Sequence, residues 1–118
     1  ITPIPQWIAE IGALKYGIGP SNVIATKPVL HNGIITERLS YPVPYEIQKV
    51  FLVDTFIKTK PFMVLGHQYK DFEILSIAQS LSVVINPPKD QTHRSNLPFI
   101  TAAKNMGWLI QDFPKTEY

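Results

Sequence analysis

A chain of 118 residues, 45% apolar and 17% charged, has the size of one domain with a single core. It has no cysteine, which excludes a disulfide framework, thiolate catalysis and cysteine-ligated metal centres. No apolar run reaches the roughly 18 to 20 residues that a membrane-crossing helix needs. The formal charge is only +2, but it is unevenly placed. The stretch 86–107 carries Lys89, Arg94 and Lys104 against Asp90 alone, with His93 able to add to it, so an anionic partner is expected there. The chain opens on Ile1 and not on Met. A protein that has lost a transit peptide would begin so, and so would a trimmed chain.

In chain order, "PQWIAEIGALKYG" reads as a short helix. Pro5 suits its first turn, Gly17 suits the position just past its end, and Trp7, Ile8, Ile11 and Leu14 share one face. That face must pack on this domain or on a partner, because a helix this short is marginal alone. Residues 17–44 then hold Pro20, Pro28, Pro42 and Pro44. Proline removes a donor and fixes φ, so a long regular element is not expected there. Asn32-Gly33 is a hairpin signal, whereas Pro28 weakens the first strand and favours an extended arm; both remain open. Its aliphatics, among them Val23, Ile24, Val29, Leu30, Ile34, Ile35 and Leu39, need cover, for a good part from a neighbour. The arm is therefore expected to be protease-sensitive, with 45–113 surviving as a fragment.

From Tyr45 the pattern tightens. "YEIQKVFLVDTFIKT" can be a helix with Ile47, Val50, Phe51 and Ile57 inward, with Asp54 facing solvent. "PFMVLG" is a short buried strand. "DFEILSIAQSLS" follows as an amphipathic helix capped by Asp71, with Ile74, Ile77, Ala78 and Leu81 on one face. "SVVIN" is a strand stopped by Pro87-Pro88. "SNLPFITAAKNMG" is a helix with Phe99, Ala102, Ala103 and Met106 on one face and Gly107 as terminator, and "WLIQDF" a last strand. This α-β-α-β-α-β order predicts a small α/β layer sandwich with a largely parallel short sheet over residues 45–118. An N-terminal helix and proline-rich arm over 1–44 precede it.

In such a sheet Gly66-His67 and "NPPKDQTHRSN" both fall at carboxyl ends of strands, the rim where open α/β sheets bind ligands. His67, Lys89, Asp90, His93 and Arg94 are thus expected on one rim. A histidine in such a turn is more often a hydrogen-bonded surface residue than a catalyst. No H-x-x-H or H-E-x-x-H pair, phosphate loop or nucleophile elbow is present, so no metal, no cofactor, no small-molecule substrate and no catalytic residue are expected. "GIGPSN" is a lone G-x-G that follows no expected strand.

The element order over "KVFLVDTFIKTKPFMVLGHQYKDFEILSIAQSLSVVINPPKDQTHRSNLPFITAA", about half the chain, resembles that of the ribosomal stalk-base proteins (large-subunit protein ten). The resemblance implies a basic turn seated on ribosomal RNA, with Arg94 and Asn96 at its basic–Asn pair and Lys89 nearby. The resulting expectation is a non-enzymatic subunit of a mitochondrial ribosome or similar ribonucleoprotein. It would contact rRNA through Lys89, His93, Arg94, Asn96 and Lys104 and wrap neighbouring protein subunits with its proline-rich arm. Two alternatives stand beside it: an accessory protein-binding subunit of a respiratory-chain or other membrane complex, and a small α/β enzyme using His67 and His93.

Overall fold

A computed structural model of the chain describes residues 1–92 and 96–114. Two compact units are present, Ile1–Lys58 and Thr59–Tyr118, so the boundary expected after residue 44 lies instead after Lys58.

In the first unit, α1 (Gln6–Leu14) forms where the apolar spacing predicts it. Its orientation is the surprise. Trp7, Ile8, Ile11 and Leu14 are 45, 62, 65 and 56% exposed, whereas Gln6 is buried. The chain before the helix runs parallel to residues 24–26, through Thr2 N–H to Ile24 O and Thr26 N–H to Ile4 O. Gln6 then locks the helix start. Its Nε2 donates to Val23 O at 3.1 Å and to Glu10 Oε1 at 2.6 Å, and its Oε1 accepts from Ala25 N–H at 3.0 Å.

Of the two readings open for residues 28–39, the hairpin is the one the chain adopts. β1 (Pro28–His31) and β2 (Ile34–Leu39) pair antiparallel about Asn32-Gly33, whose φ values of 49° and 78° are the pair that a two-residue turn with right-handed twist requires. Pro28 is tolerated because it opens its strand, where the missing donor breaks no ladder bond. Ile34 and Ile35 nevertheless remain exposed.

α2 (Gln48–Leu52) passes directly into a π-helical turn, Val53–Ile57, which ends at Lys58 in the left-handed region. Lys49, Leu52 and Val53, at i, i+3 and i+4, are buried, while Ile47, Phe51 and Ile57 are exposed, so the inward face expected there is corrected to the neighbouring one. Asp54 is exposed as expected.

The second unit is a small α/β fold. β3 (Met63–Gly66), β4 (Leu81–Ile85) and β5 (Leu109–Gln111) form a parallel sheet in the order β3-β4-β5. The crossovers contain α3 (Phe72–Ser76), entered through a 3₁₀ turn at Tyr69–Asp71, and α4 (Phe99–Asn105). Val64, Leu75, Val84, Phe99 and Ala103 make the core, with Trp108 stacked at a tilt on Phe72 (centroids 4.9 Å apart).

α3 is shorter than its apolar pattern suggests. Gln79 N–H and Ser80 N–H bond to Pro61 O and Phe62 O, which draws the chain into the sheet and places Leu81 on β4. Leu75, absent from the expected face, is the fully buried residue of this helix. α4 buries Phe99, Ala102 and Ala103 as expected and leaves Met106 exposed. No helix among the described residues is long and apolar enough to cross a membrane.

Candidate functional site

The carboxyl edge of the parallel sheet is built around the corner after β3. A Cβ on Gly66 would stand 2.9 Å from Asp71 Cβ and 2.9 Å from Leu75 Cδ1, so glycine is what lets α3 close on the strand end. Asp71, itself buried, turns its carboxylate back on that corner and accepts the backbone N–H groups of His67 at 2.9 Å and Gln68 at 3.3 Å. The Gln68 side chain returns the bond in a reciprocal cap. The residue pattern predicts Asp71 as a helix cap; what it caps is the corner itself.

This corner is tied to the next one. His67 Nδ1 lies 2.8 Å from Ile85 O at the end of β4. A carbonyl can only accept, so Nδ1 carries the proton, and in the neutral ring Nε2 is left as an acceptor. The imidazole is exposed. From the loop after β4, Gln91 Oε1 accepts Tyr69 N–H at 3.2 Å, and Gln91 O accepts Phe99 N–H at 2.8 Å. Asn86, with φ 43°, bonds twice to the carboxyl end of β5: its N–H donates to Gln111 O and its Oδ1 accepts Phe113 N–H at 2.6 Å. The rim is therefore one hydrogen-bonded assembly of three strand ends.

The residues named from sequence are divided by this geometry. Lys89 and Asn96 are exposed and belong to the loop between β4 and α4, on the rim side. His93 and Arg94 lie outside the described residues. Lys104 does not join them. It occupies the last turn of α4, which runs back from the rim to the amino end of β5, and so stands at the opposite edge of the sheet. A charge count along the chain adds residues that a crossover helix separates.

The distribution of apolar letters also concealed the burial of polar residues among those described: Gln6, Thr26, Lys49, Asp71 and Ser82. A buried lysine is uncommon, and Lys49 is held by interaction with its surroundings. It lies at helical spacing with the buried Leu52 and Val53, on a face that the apolar letters of α2 do not mark. The first unit also has a cleft of about 1000 Å³, walled by α1, residues 20–25, Tyr41-Pro42 and Leu52, Phe56 and Ile57. Gln6 and Glu10, at its polar end, are already bonded to each other. Among the described residues, no cluster of three metal-ligating side chains occurs.

No family model matches the chain, and no curated protein matches it at a significant level. Among solved structures, a protein of unknown function from Bordetella pertussis Tohama I is similar, with a TM-score of 0.74 at 17% identity over 92% of this chain. At that identity the likeness concerns the fold. The present chain covers 47% of the Bordetella chain, about half its length.

Proposed function

We propose that the chain is the ligand-facing part of a larger α/β unit. In this reading it binds a small hydroxylated molecule at the carboxyl rim of β3–β5 and performs no chemistry of its own. The observation that carries this reading is the His67 imidazole. It sits on the edge where open parallel sheets receive ligands, and its Nδ1 is committed to Ile85 O. Nε2 is then a fixed acceptor for a ligand hydroxyl. Binding is favoured over catalysis because Nδ1 meets a backbone carbonyl, and the nearby carboxylate of Asp71 is spent on backbone N–H groups. The test is a titration of the His67 side-chain nitrogen resonances with glycerol, ribose and inositol at millimolar concentration. A movement of Nε2 with at least one of them, abolished in His67→Ala, is expected. Silence at His67 with all three would refute the reading.

A second reading keeps the ribonucleoprotein subunit, mitochondrial in the form the sequence suggests. What favours it is the exposed Lys89 on the same loop as Asn96, in a stretch rich in positive charge. Lys89→Ala combined with Arg94→Ala would then weaken RNA association regardless of sequence. The salt slope should fall by about one unit for each phosphate no longer neutralised. Binding that is unchanged across a salt titration would remove RNA from the rim.

A further inference from the structure

In the first unit, α1 turns a polar pair inward. Gln6 and Glu10, one helical turn apart, line the cleft, Gln6 buried and Glu10 half-buried. Trp7, Ile8 and Ile11 of the same helix are exposed. Burial of apolar surface alone favours the reverse arrangement, so bonds must offset the cost of the inward polar groups. For Gln6 the offset is complete. Its Oε1 accepts Ala25 N–H, and its Nε2 donates to Val23 O and to Glu10 Oε1. For Glu10 it is partial. The bond from Gln6, at 2.6 Å, engages Oε1, whereas an ionised carboxylate offers about four acceptor positions over its two oxygens.

Much of the remaining wall is apolar, with Val23, Pro42, Leu52, Phe56 and Ile57 lining it. The cleft volume of about 1000 Å³ is at the upper end of the range for small-molecule sites. A carboxylate held at one end of an apolar wall is a head-group site, and its complement is a positively charged donor on an apolar body. Lys27 also lines the cleft, but it is exposed on a long flexible stem. Glu10 is fixed by a buried amide, so the carboxylate is the preorganised partner.

From the inward Gln6–Glu10 pair and the apolar wall beside it, we propose that the cleft binds a primary amine with an apolar or aromatic body. The ammonium donates to the Glu10 carboxylate, and the body covers Leu52, Phe56 and Ile57. Every residue of this site belongs to Ile1–Lys58, so the site is independent of ligand binding at His67.

Three probes with one body and different heads test this: phenylbutylamine, phenylbutanol and phenylbutyrate. Each is titrated into the 118-residue chain at neutral pH by calorimetry, with backbone amide shifts locating the contact. The amine should bind about tenfold or more tightly than the alcohol or the acid, because its head makes a charge-assisted bond. It should move the Glu10, Val23 and Leu52 amides and leave His67 unmoved. Glu10→Gln keeps an acceptor for Gln6 and should lower the amine to the affinity of the alcohol. Should that variant fail to fold, the head-group order and the shifted amides of the unaltered chain decide. Equal affinity for all three heads overturns the proposal. So does a preference for the acid, which would give the head group to Lys27, or amine binding that persists in folded Glu10→Gln. Shifts confined to residues outside the cleft, or no binding at millimolar concentration, overturn it as well.

Discussion

Asp71 accepts the backbone N–H of His67, four residues earlier, at 2.9 Å, so a single carboxylate shapes the corner from which the imidazole projects. Asp71→Ala would leave two corner N–H groups without their acceptor, at a cost of about 1–3 kcal/mol. Asp71→Asn keeps one oxygen and should lose less. Urea unfolding gives the energies, and amide exchange at His67 shows whether the loss is local to the corner.

Gly66→Ala should destabilise through packing, not through backbone conformation. The added methyl would meet Asp71 Cβ and Leu75 Cδ1 at 2.9 Å, and overpacking of this kind costs about 1–3 kcal/mol. The same displacement should disturb the bond from His67 Nδ1 to Ile85 O. A loss of stability with unchanged His67 nitrogen shifts would show that α3 moves and the corner does not.

The hairpin offers a contrast, because there the backbone decides. Nothing lies within 4 Å of a Cβ on Gly33, yet its φ is 78°. Gly33→Ala should therefore weaken the hairpin by about 1 kcal/mol. Asn32→Gly should be tolerated at the preceding left-handed position. Exchange rates of the β1 and β2 amides read both effects.

The outward face of α1 should accept charge. With Ile8 and Ile11 at 62 and 65% exposure, Ile8→Lys with Ile11→Lys should leave the stability of the 118-residue chain within about 0.5 kcal/mol. Binding of an apolar dye should fall. A large loss of stability would mean that this face is covered within the chain in solution.

Limited proteolysis locates the division between the units. Trypsin should cut first after the exposed Lys58, leaving a fragment that begins at Thr59. Early cleavage within 17–44 would instead restore an unpaired arm in place of the hairpin.

Local order was legible from residue types alone wherever neighbours along the chain decide it. Apolar spacing placed α1, α4 and the three parallel strands, and Asn32-Gly33 announced the turn that β1 and β2 adopt, since a left-handed pair of residues is a local requirement. Tertiary structure decided which way those elements face. Gln6 is inside because its amide meets Val23, Ala25 and Glu10, partners that periodicity cannot see. Lys49 is inside because α2 turns the 49, 52, 53 stripe inward and leaves Ile47 and Phe51 outside. Lys104 left the proposed basic site because a crossover helix carries it to the far edge of the sheet. The corner at Gly66–Asp71 lies between these cases: its letters mark a bend, but only the closed fold sets the carboxylate beneath the backbone and the imidazole against β4.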